Sequence, residues 1–198
     1  MAVSIEEIKR LRELTGVGMT DAKTALVEAD GDFDKALEAM RKKGLTKAEK
    51  KGEREAREGI VEAYVHSGRI GVIVEVNCET DFVVRTEGFQ EFAHEIALHI
   101  AAAAPEYVSG DEIPADVREA KKQELLTGDA LKGKPADMAE KIVEGQLKKY
   151  FAEKTLLEQP FIKNPDQTVG EFLKENVAKI GENLIIRRFS RIALGEVG

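Results

Sequence analysis

Gly71-Val72-Ile73-Val74-Glu75-Val76-Asn77-Cys78 puts Val72, Val74, Val76 and Cys78 on one face and Ile73, Glu75 and Asn77 on the other. That alternation predicts a half-buried β-strand. The run passes straight into Glu79-Thr80-Asp81-Phe82-Val83, and Thr86 to Ala104 behind it reads as a helix. An acidic residue and an aromatic ring therefore stand at a strand-to-helix junction that should face solvent. Burying such a ring gains roughly 1.5 to 3 kcal/mol, and a Phe in an arbitrary chain is usually inside. From the residues alone, two readings of Phe82 are open: a core ring that folds back, or a tool held out to a partner.

Upstream of this strand, Gly59 to His66 reads as a second strand, with Ser67-Gly68 as the turn and Arg69 to Cys78 as the returning arm of a hairpin. Downstream, Phe89, Phe92, Ala93, Ile96, Ala97, Ile100 and Ala104 share one face of a helix that stops before Pro105. Pro114 and Pro135 each suit the first turn of a further helix, the second with a stripe of Met138, Ile142, Leu147, Tyr150 and Phe151. A last helix, Val169 to Ile180, leads through Gly181 to a β-like run, Asn183 to Ile192. That terminal strand should join the hairpin in a three-stranded antiparallel sheet covered by helices, which makes residues 59–198 an α+β core.

The first 44 residues read as a separate unit. Ile5, Ile8, Leu11 and Leu14 form one helical stripe, with Ser4 as N-cap and Gly16 beyond the end. Gly16-Val17-Gly18-Met19 reads as a tight connection demanding glycine, after which Thr20 is placed to cap a helix bearing Ala22, Ala25, Leu26 and Ala29. Gly31-Asp32 turns into a third helix with Phe33, Ala36, Leu37 and Met40 on one face, and Gly44 is read as its end. Three short helices with small residues at their crossings look like a ubiquitin-associated-type fold. Residues 45–58 are helix-prone but nearly lack large apolar side chains, so they read as a linker helix.

Composition narrows the function. The chain has 198 residues, 42% hydrophobic and 34% charged, enough for a main domain and a small one. No apolar run nears the roughly 18 residues needed to cross a membrane, and the N-terminus resembles no targeting segment; a cytoplasmic address is the expectation. The net charge of −7 argues against wholesale nucleic-acid binding. Yet Arg41 to Arg57 holds eight basic residues against three Glu, a basic connector between two acidic bodies. It reads either as a solvated helix laced with ion pairs or as a contact for ribosome or RNA.

Catalytic patterns are thin. Cys78 is the only cysteine, so an internal disulfide is impossible. A thiol nucleophile with Glu79 or His66 as base is conceivable, but Cys78 shares the face of Val72, Val74 and Val76 and reads as a small buried hydrophobe. His94 and His99 lie about 140° apart around a helix and cannot share a metal; Glu91-x-x-His94 is half of a di-iron pattern with no second copy. No Walker loop, dinucleotide fingerprint or nucleophile elbow is present. The expectation is no cofactor, no metal, no bound nucleotide and no enzyme chemistry of the chain's own.

Asn77-Cys78-Glu79-Thr80-Asp81-Phe82-Val83 after a Val-rich strand closely resembles the central motif of the elongation factor Ts family, the nucleotide exchange factors of the translational GTPase EF-Tu. Leu11-Arg12-Glu13-Leu14-Thr15-Gly16-Val17-Gly18-Met19, with Lys23 and Ala25-Leu26, resembles that family's amino-terminal domain. Glu140 to Gly145, Leu156 to Phe161, Gly181-Glu182-Asn183 and Arg187-Arg188-Phe189 continue the likeness over essentially the whole chain. Val84 departs from it, standing where the family usually has Ala or Ser. The resemblance implies a short form with a single core subdomain, promoting GDP release in translation elongation by displacing Mg²⁺. It implies that Thr80, Asp81, Phe82 and Val83 act on EF-Tu: Phe82 as wedge, Asp81 as negative charge, Thr80 by capping the next helix and Val83 by packing. Leu11, Arg12, Thr15, Gly16, Val17, Gly18 and Met19 would contribute to a grip by the amino-terminal unit. A single core subdomain also suggests a homodimer through the sheet edge or the strand around Phe189; Ser190 offers no disulfide there, so it would be non-covalent. A ribosome- or RNA-associated binding module without exchange activity is the alternative.

Overall fold

The computed structural model describes residues 3–15, 17–128 and 135–196. Its first three helices are α1 (Ile5–Thr15), α2 (Met19–Glu28) and α3 (Phe33–Lys51). Ser4 opens α1 as expected and does so reciprocally: the Glu7 amide donates to Ser4 Oγ at 3.1 Å while the Ser4 amide donates to the Glu7 carboxylate at 3.1 Å, a capping box. Ile8, Leu11, Ala22, Ala25, Leu26, Ala36 and Met40 are buried together as a small core of their own. Ile5 and Leu14, read as part of the α1 stripe, are exposed instead. With so many alanines on α2 and α3, the partner helices lie close and only the middle of the stripe is covered.

Three local expectations are corrected here. Gly18 has φ −67° and ψ 155°, a conformation open to any residue, and a Cβ there would meet nothing within 4 Å, so this position does not demand glycine; Gly16 lies outside the described residues. Thr20 does not cap α2, because the helix already begins at Met19 with Gly18 in the cap position and no side chain bonded there. Gly44 does not end α3, which runs on to Lys51. At Gly44 a Cβ would sit 3.4 Å from the Ala178 Cβ. The glycine thus lies against a later helix, and α3 runs through it although glycine costs roughly 1 kcal/mol in a helix interior. The separate linker helix expected over 45–58 is therefore the second half of α3 followed by an irregular stretch to Glu58.

The core begins with β1 (Glu58–His66) and β2 (Ile70–Cys78), paired antiparallel with Tyr64 opposite Val72. Ser67 and Gly68 both have positive φ, 50° and 68°, the backbone of a tight hairpin turn matched to strand twist. Gly59 is required: its φ is 154°, and a Cβ would come within 2.2 Å of the Val76 carbonyl oxygen. A short helix α4 (Asp81–Val84) and a long one, α5 (Glu87–Ala103), follow. The single helix expected from Thr86 is thus preceded by an extra turn. Thr86 caps α5 by accepting from the Phe89 amide, and Ala104, in the left-handed region before Pro105, ends it.

Next come α6 (Ala115–Leu126), α7 (Ala136–Ala152), the two-stranded ribbon β3 (Pro160–Phe161) and β4 (Asn164–Thr168), then α8 (Val169–Ile180) and β5 (Ile185–Ala193). Pro114 and Pro135 occupy the cap positions of α6 and α7. On α7 the buried residues include Val143 and Phe151, while Met138 is exposed. The terminal strand joins the sheet as foreseen, in the order β1-β2-β5, all antiparallel, with a bulge between Glu75 and Val76. The inner face of β2, Val72, Val74, Val76 and Cys78, is fully covered by Phe89, Phe92, Ala93, Ile96, Ala97 and Ile100 of α5. The α+β architecture is therefore the observed one. α8 joins the two cores: it packs on α5 on one side and on α3 on the other, with a cleft of about 150 Å³ where Leu14, Met40, Phe172 and Asn176 meet.

Candidate functional site

The corner between β2 and α4 carries Thr80, Asp81, Phe82 and Val83. Phe82 is 77% exposed, although Val83 and Val84 on the same turn pack against the core. The four-residue helix is too short to bury both its faces, and the two valines take the inward one. Val84, the departure from the family pattern, is accommodated as part of that inward face. Asp81 is also exposed, its carboxylate accepting from Arg85 Nη2 at 3.2 Å one turn on. Asp81 and Phe82 thus stand side by side at the outer rim.

Thr80 occupies the N-cap position of α4 but forms no side-chain cap, contrary to expectation. Its hydroxyl donates instead to Glu182 Oε1 at 2.6 Å, and the amides of Glu79 and Thr80 both donate to Glu182 Oε2, at 3.1 and 3.0 Å. In return Glu79 Oε1 accepts from the Asn183 amide at 2.6 Å and faces Arg54 at 3.5 Å. Charged acceptors of this kind make the stronger class of hydrogen bond. None of Glu182, Asn183, Arg54 or Arg85 was assigned a role from sequence. Gly181-Glu182-Asn183 was visible only as a likeness, and no local period signals a bond across 102 residues.

Cys78 lies just beneath this corner, buried, with Sγ 3.2 Å from the Thr80 carbonyl oxygen. Burial, then the Glu182 carboxylate, push its thiol up to about 11. A reactive cysteine needs the opposite surroundings, so the thiol-enzyme reading loses its support. His99 is buried too, its Nε2 3.0 Å from Gln159 Oε1 and its Nδ1 accepting from the Ile162 amide at 3.2 Å; burial holds its pKa below the usual imidazole value. His94 is on the surface beside Glu62. The two histidines thus take separate partners.

In the amino-terminal unit Leu11 is fully buried and belongs to the small core. Thr15 is half-buried, its hydroxyl bonded to the Leu11 carbonyl, and Val17 packs on the same core. Arg12, Gly18 and Met19 are the exposed members of that set. In the basic connector, Lys43 faces Asp21, and Arg54 faces Glu79; the side chains of residues 41 and 45–50 lie outside the described ones. Among the described residues no helix is long and apolar enough to cross a membrane.

The fold and the site together define a small α+β protein that presents an apolar ring and a carboxylate on a corner held by polar bonds. The sequence matches the family model described as Elongation factor TS over residues 7–196. It is 58% identical to an elongation factor Ts of Carboxydothermus hydrogenoformans over 98% of this chain and 90% of the relative. A second, of Caldanaerobacter subterraneus, is 53% identical over 98% of both chains, and one of Desulfosudis oleivorans is 51% identical with the same coverage. The chain belongs to the elongation factor Ts family, and it is a translation elongation factor.

Proposed function

We propose that this protein is the guanine nucleotide exchange factor of EF-Tu and that residues 80–83 drive the exchange. The observation that carries the reading is Phe82: a ring exposed on a corner whose preceding amides are held by Glu182 and whose following valines pack on the core. A GTPase holds GDP through backbone amides around the phosphates and a Mg²⁺ that bridges phosphate to protein. A partner loosens GDP by binding the nucleotide-free form better than the GDP-bound form. Phe82 enters the GTPase on the Mg²⁺ side, and Asp81 brings a carboxylate close to the metal's ligands; Mg²⁺ leaves and GDP loses its clamp. By linkage, GDP weakens exchange-factor binding by the same factor, so nucleotide rebinding releases the complex.

The three-helix unit, residues 1–44, holds EF-Tu at a second surface through its exposed Arg12, Gly18 and Met19, the connector 45–58 links it to the core, and the core 59–198 carries the wedge. Two linked contacts raise the effective concentration of the wedge at its target. The protein needs no cofactor for this and works in the cytoplasm, where its partner is. Release of fluorescent GDP from EF-Tu tests the reading: the protein should accelerate it in a saturable way, and an unchanged rate at saturating concentration overturns the proposal.

We also propose that two copies pair without a disulfide. Val61, Val65, Ile73 and Ile192 leave the outer face of the sheet apolar and exposed, a self-complementary surface for a two-fold axis. Phe189 packs against the core instead, so the contact is the sheet's outer face and not that ring. A monomeric mass in sedimentation at micromolar concentration would sink the dimer while leaving the exchange reading intact.

A further inference from the structure

Three distant segments meet behind the exposed ring. Glu182, just past the left-handed Gly181 that ends α8, sends its carboxylate to the β2–α4 corner and takes both backbone amides and the Thr80 hydroxyl there. Glu79 sends its own carboxylate the other way, to the Asn183 amide. The Asn183 side chain is buried and donates to the carbonyl of Arg54 at 2.7 Å and of Gly52 at 3.4 Å. Lys51, the last residue of α3, donates to the Gly181 carbonyl. The corner is therefore fastened to the end of α3 with the stretch just behind it and to the α8–β5 junction at once.

The orientation of α4 depends on this fastening. A helix of four residues cannot set its own direction and no side chain caps it; the amides that Glu182 takes are those of Glu79 and Thr80, the two residues that lead the chain into it. Besides Glu182, the corner is held by the Glu79 carboxylate on the Asn183 amide, by the packing of Val83 and Val84, by the Cys78 contact to the Thr80 carbonyl, and by the Thr86 hydroxyl and Gln90 side chain on the Val83 and Val84 carbonyls. Glu182 is the group that takes the backbone amides leading into α4. An inserted ring works only when its approach is fixed beforehand, and small misplacements of reacting or docking groups cost large factors in rate.

Resting on the exchange reading above, we infer that Glu182 is a positioning residue for exchange: its carboxylate fixes the direction in which Asp81 and Phe82 project, without itself touching the partner. The test is GDP release from EF-Tu·fluorescent GDP, titrated with the full-length protein. Glu182→Ala should lower the maximal release rate about tenfold and shift the half-saturating concentration by less than about twofold. Glu182→Gln should recover most of the loss, since its amide oxygen can accept both backbone amides and its NH₂ can face the Thr80 hydroxyl. In a Phe82→Ala background, Glu182→Ala should cost no more than about threefold, because of the two groups it aims only Asp81 remains. An unchanged maximal rate for Glu182→Ala overturns the inference, and so does an equal loss in both backgrounds, which would mark Glu182 as acting through something other than the ring. Should Glu182→Ala not fold, Thr80→Val removes one of the three bonds on its own, and an unchanged maximal rate there overturns it as well. A wild-type protein that fails to accelerate release overturns the exchange reading itself, which keeps the two failures apart.

Discussion

Phe82 and Phe89 lie seven residues apart, on either side of one helix cap, and do not share an environment. Phe89 is wholly buried under the sheet and Phe82 is 77% exposed. Residue type does not separate them. The difference comes from what holds each backbone: Phe89 stands on a helix of 17 residues whose apolar face covers β2, whereas Phe82 stands on a single turn fixed by polar bonds to residues from elsewhere in the chain. A buried ring is held by its own packing. An exposed one keeps its direction only if the backbone beneath it is held for it.

The largest effect should separate the two rings by stability. Phe89→Ala should cost about 3 to 5 kcal/mol, whereas Phe82→Ala should lie within about 0.5 kcal/mol of wild type; denaturant unfolding of both variants measures the gap, and comparable losses would erase the distinction. Function should reverse the order. Phe82→Ala should slow GDP release from EF-Tu on the order of tenfold even at saturating protein, equivalent to about 1.4 kcal/mol, and a wild-type rate would remove Phe82 from the mechanism. Asp81→Ala should lose less, about threefold, because the charge assists a displacement that the ring leads; its exposed pair with Arg85 adds at most about 1 kcal/mol to stability. Chelating Mg²⁺ should narrow both gaps, and gaps that persist without Mg²⁺ would show that the metal is not the target.

The smallest effect concerns the thiol beneath the corner. With Cys78 raised to about 11 by burial, the folded state favours the neutral thiol. That contribution is fully present below the ordinary thiol pKa and is lost as pH rises through about 11. Iodoacetamide should therefore label Cys78 slowly in the native protein at pH 8 and quickly after denaturation. Fast native labelling would show that the corner opens readily and that its mount is loose.

Much of the fold was legible because burial on one face leaves a period: the hairpin, α5, α8 and the terminal strand follow from alternation or from 3.6-residue stripes. What escaped reading has no period. The continuation of α3 through Gly44 carries it against Ala178, a residue far along the chain. The β3–β4 ribbon is stitched in place partly by His99 Nδ1 accepting from the Ile162 amide, and a lone histidine on an apolar helix announces no such partner. At the site, Phe82 and Asp81 were marked by the motif, but the hydroxyl of Thr80 was assigned to the nearest helix when it belongs to Glu182. Caps are local and readable; anchors brought in by the fold are not.

The same long reach orders events during synthesis. Phe82 leaves the ribosome about a hundred residues before Glu182 does, and contacts so far apart in sequence close late in folding. A chain truncated before Glu182 carries residues 80–83 but lacks both their anchor and the third strand of the sheet. On the proposed mechanism, competence for exchange is then completed only when Glu182 and β5 have been made, and a chain stopped short of them holds out an unaimed ring.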